Sequence, residues 1–214
     1  NQLVTRSHSA GPMRRLWLML SVIIGLSGIA SPVMANKDSP WLAGRILVAG
    51  QKLSDPNFTN SVIYLLEHNA KGAVGLIINK VINGGNLNNL LRGFGLMPSR
   101  GERPESLHFG GPVSTDRVFI LHSLDFKAAN TFQTPGGLAM TSDHSILDAL
   151  ARGEGPARSK VMIGYSGWGP GQLGREIARG DWLIAPADED VVFDDSSSDV
   201  DLWNDARDRA GFIL

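Results

Sequence analysis

An α+β fold with a mixed, largely antiparallel sheet is the class this sequence predicts, and three observations predict it. Short β-branched runs punctuated by Gly, Pro, Asn and Asp dominate the chain beyond residue 36. Helical patterns are fewer and shorter. The two kinds of segment do not alternate regularly, as the βαβ units of a doubly wound parallel sheet would require.

Taken in order, residues 45–49, 61–67 and 73–79 are apolar runs of strand length bounded by turn-forming residues. Residues 87–94 carry the next pattern, a short helix. Residues 118–122 read as a strand, 145–151 as a helix, 160–165 as a strand and 171–179 as a helix. Strands follow at 182–185 and 191–193, and residues 202–210 close the chain as a helix. DDSSSDVD, residues 194–201, reads as a mobile loop. There is no internal repeat and no sign of a second domain, so residues 36–214 read as one domain.

The first 35 residues read differently. Met13-Arg14-Arg15 is a basic start, residues 16–30 are apolar, Pro32 breaks the run, and Val33-Met34-Ala35 offers small residues at a cleavage site. That is the pattern of a secretory signal peptide over residues 13–35, cleaved after Ala35 to release a periplasmic protein. Retention as an inner-membrane anchor is the competing reading, but Gly25, Ser27 and Gly28 interrupt a run that needs about 20 apolar residues to span a bilayer. Residues 1–12 lie upstream of Met13 and carry no fold information.

Composition removes several functions. The chain has no cysteine, which excludes disulfides, thiolate catalysis and cysteine-ligated zinc. Beyond residue 35 there are 17 basic and 21 acidic side chains, and nine acids with no Lys or Arg fall between Asp181 and Asp205. Such a chain repels a phosphate backbone, so nucleic acid is not an expected partner.

GYSGWGPGQLGREI, residues 164–177, holds two apparent motifs. A hydrolase elbow needs Gly-x-Ser-x-Gly because its serine sits on a strained turn. Gly164 and Ser166 fit, but Trp168 occupies the place of the second glycine, and no histidine follows Ser166. Ser166 therefore reads as a backbone-facing serine whose replacement by alanine leaves stability nearly unchanged. Gly169, Gly171 and Gly174 spell a dinucleotide fingerprint, with Asp188 at the ribose-binding distance. Only about nine residues of helix follow, with the third glycine inside it, and no βαβ series surrounds it, so a chance match is the better reading. Trp168 is expected to be buried, with Gln172 in the first helical turn.

Four stretches in the same order resemble the signature segments of the YqgE/AlgH family of bacterial proteins. They are LAGRILVAGQKLSDPNFTNSVIYLLEHNAKGAVGLIINK (residues 42–80), FGGPVSTDRVFILHS (109–123), KVMIGYSGWGPGQLGREI (160–177) and WLIAPADEDVVF (182–193), and the resemblance extends over residues 42–212. It implies a partly open β-barrel with flanking short helices and no established enzymatic activity. Two features depart from the family pattern. Gly174 stands where a glutamate is usual, which is what creates the apparent dinucleotide fingerprint, and family members generally lack an export signal.

The family's motifs fall on His68, Asn79, Gly110, Gly111, Arg117, His122, Tyr165, Trp168 and Gln172, the candidate ligand-binding residues. His68 follows Val62, Tyr64 and Leu66 on one strand face, and His122 follows Val118 and Ile120. Each reads as a hydrogen-bonded histidine at a sheet rim, or as a site histidine. Gly110-Gly111-Pro112 reads as a strand-ending turn or an amide-lined ligand contact. Arg117 can clamp an anion or pair with a surface acid. No catalytic residue, cofactor or metal is assigned: no short histidine ligand spacing occurs, and residues 195–201 lack the central glycine of a calcium loop. The leading expectation is an exported, non-enzymatic binding module for a small molecule or a protein. A hydrolase using His68 and His122 and a transcriptional regulator by family analogy are the alternatives.

Overall fold

The structure is a computed structural model that describes residues 41–98 and 106–211. The signal-peptide reading, its cleavage site and residues 1–12 lie outside the described residues. Apolar strands separated by tight turns pair first with their neighbours in sequence. β1 (Arg45–Ala49), β2 (Val62–Asn69) and β3 (Gly72–Ile77) form an antiparallel meander. In the β2–β3 turn, the Asn69 side chain accepts the Lys71 amide at 2.8 Å. β4 (Val81–Asn86) pairs antiparallel with β5 (Ser106–Phe109), and β5 then runs parallel to β9 (Ser159–Trp168). β6 (Val113–His122) pairs antiparallel with both β9 and β8 (Ala139–Thr141), and β7 (Thr131–Gln133) borders β8. β10 (Trp182–Pro186) returns to pair with β1. The main path is β10-β1-β2-β3-β9-β6-β8-β7, a mixed and largely antiparallel sheet curled into a half-barrel.

Local capping chemistry sets the helices. α1 (Leu87–Gly93) begins where the Asn86 side chain accepts the Asn89 amide, and α2 (His144–Arg152) begins at an Asp143 cap and ends at Gly153 in the left-handed region. α3 (Gln172–Ala178) starts one residue later than the sequence suggests, because Gly171 is its cap at φ 66°. Residues 191–193, expected as a strand, instead fall in and just after α4 (Glu189–Val192). The Asp188 carboxylate accepts the Val191 amide at 2.8 Å, and two acids occupy the first turn, so the cap outweighs the β-preference of a three-residue apolar run. α5 (Asp199–Gly211) takes in the end of the expected loop.

The core fills both faces of the sheet. One face carries Met162, Leu121, Trp168 and Trp182 together with side chains of α3, α4 and α5. The other carries Val161, Ile120 and Leu107 under the apolar faces of α1 and α2. Val161 and Met162 are adjacent in β9 yet belong to opposite clusters, as the two-residue period of a strand requires.

Candidate functional site

The Gly-rich segment is a structural joint. Trp168 ends β9 with 7% of its surface exposed, and its ring lies 5.9 Å from that of Trp182 and 6.4 Å from that of Phe58. One turn into α3, Glu176 Oε2 accepts the indole N–H of Trp168 at 2.8 Å and of Trp182 at 2.9 Å. Its Oε1 accepts the Gln172 amide at 2.9 Å, while Gln172 Oε1 caps the Gly169 N–H at 3.0 Å. The motif thus ties β9, α3 and β10 through one carboxylate, and Gln172 and Trp168 are spent in doing so.

The glycines serve backbone approach. Gly111 has φ 148°, and a Cβ there would overlap the Tyr165 carbonyl and Ser166 Oγ. The Gly110 amide donates to Ile163 O at 2.8 Å, and its carbonyl accepts the Ile77 amide at 3.0 Å. Gly110 O also accepts from the fully buried Ser166 hydroxyl at 3.1 Å. Ser166 faces backbone, as expected, but its burial means that its bond matters: Ser166→Ala costs about 1 kcal/mol rather than nothing. Asp188, the ribose-binding candidate of the fingerprint, caps α4 and pairs with Arg209 at 2.9 Å. Gly174 sits exposed inside α3, and a Cβ added there would meet no atom within 4 Å. Gly174→Ala should therefore raise the thermal midpoint, by the equivalent of about 0.5–1 kcal/mol, because the substitution lowers the entropy of the unfolded chain without a clash. A melting curve checks it. Tyr165 packs edge-on to Phe119 at 5.8 Å, and Arg117 is exposed on the bulged part of β6.

His68 and His122 do not meet. Through β3, His68 aligns with Trp168 at one end of β9, whereas His122 pairs with Ser159 at the other. Nine residues of strand separate those positions, roughly 30 Å at the usual rise. The face assignment of His68 also changes: a bulge between Leu65 and Glu67 inverts the alternation, placing His68 with Leu65 and Ile63 rather than with Tyr64. His68 Nδ1 accepts the Leu42 amide at 3.1 Å beside the Trp41 ring. His122 is fully buried, and its Nδ1–H donates to Ser123 O at 2.8 Å. Burial pushes the pKa of both below the ordinary histidine value, for His122 against the opposing pull of Ser123 O and Asp125.

A different cluster is built beneath the 194–198 turn. Lys160, facing the α5 side of β9, is fully buried. Its ammonium donates to Ile78 O and Asp194 O, each at 3.0 Å, and lies 2.9 Å from Asp195 Oδ1. His108 on β5, 2% exposed, places Nε2 3.4 Å from the same Asp195 oxygen, while its buried Nδ1 has no partner. Burial raises the Asp195 pKa, but the bond from His108 and the Lys160 charge outweigh it, so the carboxyl stays below its usual range. Asp194 is pushed down to about 2 by hydrogen bonds from Ser197 and Ser196. The expected mobile loop is thus a tied turn, and no group of three or more His, Asp or Glu among the described residues is placed to hold a metal ion.

Asn79 completes this region. Its Oδ1 accepts the Val62 amide at 2.8 Å, and its Nδ2 donates to Asn60 O and to Asp199 O, both at 2.8 Å. It clamps the start of β2 to the start of α5. Asn79→Ala leaves the buried Val62 amide without its acceptor and takes a donor from Asn60 O and Asp199 O, and a loss of about 2 kcal/mol is expected in urea unfolding. Beside it lies a small open hollow of about 30 Å³, room for a water rather than an organic ligand, lined by Asn79, Val81, Ser106, His108, Asp195 and Leu202 among others. His108, Lys160 and Asp195 were not among the residues singled out by the sequence.

These shifts give the fold a defined response to acid. Below the ordinary histidine value of 6.5, the unfolded chain takes up protons at His68 and His122 that the folded chain resists, so stability falls with pH. A second loss begins below 3.8, where unfolded carboxylates protonate while Asp194 and Asp195 still hold their charge in the fold. Urea midpoints at about pH 7.5, 5.5 and 3.5 should decline in that order.

Comparison with known proteins agrees with this architecture. The UPF0301 protein of Methylococcus capsulatus is 44% identical over 172 residues, covering 80% of this chain and 93% of its own length. The UPF0301 protein of Rhodospirillum rubrum is 36% identical, covering 78% and 88%. Among solved structures, the solution structure of the AlgH protein from Pseudomonas aeruginosa superposes with a TM-score of 0.69 at 38% identity, covering 82% of this chain and 93% of that one. A Corynebacterium diphtheriae protein at 24% identity shares the fold, with a TM-score of 0.60 over 79% and 87% of the two chains. The DUF179 model, described as AlgH-like, matches residues 46–214. With a curled antiparallel half-barrel, the ordered signature segments and these relatives in agreement, the chain belongs to the AlgH-like family.

Proposed function

We propose that this protein is a non-enzymatic binding module, exported to the periplasm, that holds a small molecule or a partner protein. One observation carries the reading: the groups that could do chemistry are committed to holding the fold. Glu176 is occupied by two indoles and an amide, Lys160 by two carbonyls and a carboxylate, and Asn79 by three backbone groups. The hydrolase alternative needs His68 and His122 together, and roughly 30 Å of strand lies between their positions. The regulator alternative needs a surface for duplex DNA, and the stretch from Asp181 to Asp205 carries nine acids and no base.

The test is a thermal-shift screen of amines, sugars, nucleotides and short peptides, run beside mass spectrometry of each compound. Stabilisation without consumption is the expected result. Turnover of any compound that stops in His108→Gln would overturn the reading. Export is tested separately by fractionation with N-terminal sequencing, where a periplasmic chain starting at Asn36 is expected and a soluble cytoplasmic pool retaining Met13 would contradict it.

A further inference from the structure

We propose that the Asn83–Gly84 bond is a site of spontaneous deamidation, at which the folded protein exchanges a neutral amide for a carboxylate on β4. The proposal does not depend on the binding-module reading.

The chemistry selects this bond. Deamidation needs a peptide nitrogen that can reach the side-chain carbonyl of the asparagine before it. A side chain on the second residue hinders that approach, and glycine has none. Of all the asparagines in the chain, Asn83 alone is followed by glycine.

The fold leaves the bond open. β4 meets β5 at Val81–His108 and again at Asn86–Ser106, so the strand carries four residues between those pairs where β5 carries one. Asn83 and Gly84 lie in that bulge, outside the ladder, and both are exposed. The side chains of Asn69, Asn79 and Asn86 are held by backbone groups, whereas that of Asn83 has no hydrogen bond among the described residues. Gly84 sits at φ 76°, and a Cβ built there would meet no atom within 4 Å, so nothing packs over the peptide that must rotate.

A base in solution removes the Gly84 amide proton, and the nitrogen attacks Asn83 Cγ. The bond from Gly84 N to Cγ forms as the bond from Cγ to Nδ2 breaks, and Nδ2 leaves as ammonia. Water then opens the cyclic imide. Opening at Cγ leaves aspartate, and opening at the main-chain carbonyl of Asn83 leaves isoaspartate. One water is consumed and one ammonia released, with nothing oxidised or reduced. Isoaspartate lengthens the main chain by one carbon atom, which an unpaired bulge absorbs without loss of the β4–β5 pairs.

The experiment incubates the full chain at mildly alkaline and mildly acidic pH, with and without urea, and follows its peptides by tandem mass spectrometry. In the folded chain Asn83 should gain about 1 Da at least about tenfold faster than any other asparagine, and faster at the alkaline pH. Its rate should stay within about tenfold of the rate in urea, since opening a bulge costs little. Asn83→Gln should abolish the gain at this position, and Asn83→Asp should melt within about 2 °C of the wild type. An Asn83 that survives in the folded chain while it converts in urea would overturn the proposal, because the fold would then protect the bond. Conversion no faster than at Asn57 or Asn130, or a larger fall in the melting temperature of Asn83→Asp, would overturn it as well.

Discussion

Trp168→Ala is expected to destabilise the protein by about 3–5 kcal/mol, the usual scale for emptying a buried aromatic site. The loss has three sources. The indole is 7% exposed and packs against Phe58 and Trp182. Its N–H bond to Glu176 disappears, and Glu176 then holds α3 to β10 through Trp182 alone on that oxygen. Trp168→Phe separates these effects, since it keeps much of the packing and loses the bond; a cost of about 1.5–3 kcal/mol is expected for a hydrogen bond to a charged acceptor. Urea unfolding of the two variants measures both. An equal loss in both would mean that packing contributes little, and a negligible loss in Trp168→Ala would show that the Gly-rich segment is not a structural joint.

Lys160→Met is expected to cost about 3 kcal/mol, at the low end for breaking a buried ion pair because the Asp195 side chain is 45% exposed and can regain water. Methionine keeps the aliphatic stem but strands Ile78 O and Asp194 O without a donor. Adding Asp195→Asn to Lys160→Met should recover part of the loss, because a neutral amide tolerates the site better than an unpaired charge. A double-mutant cycle by chemical denaturation reads the coupling. Additive losses would contradict the pairing.

The sequence revealed the fold wherever composition and geometry coincide. The apolar runs of β1, β2, β3 and β9 are strands because β-branched residues bury well on both faces of a curled sheet. β4 went unread because VINGGN is polar and Gly-rich, and it is a strand only through its pairing with β5. β5 is four residues long and carries a histidine that reads as a break. The bulge at Leu65–Glu67 has no compositional mark, yet it inverts the face of His68. The site was harder still. Lys160 looks like the polar first residue of a strand, and its burial depends on Asp195, 35 positions later. The candidates that were legible, among them Trp168, Gln172, Asn79 and Gly110, are the ones that hold the fold. Trp168 and Gln172 meet Glu176 within eight residues, and Gly110 bonds to patterned strands. The bond from Asn79 to Asp199, by contrast, spans 120 positions, and His108, Lys160 and Asp195 likewise come together only through tertiary structure.

The most direct test of the account is the exchange of the Trp168 and Trp182 indole N–H protons with solvent, read by NMR in the wild type and in Glu176→Ala. The account predicts that both protons are protected in the wild type and that both lose protection together in the variant, because one carboxylate oxygen accepts both. Fast exchange of both in the wild type, or loss of protection at one indole alone, would contradict it.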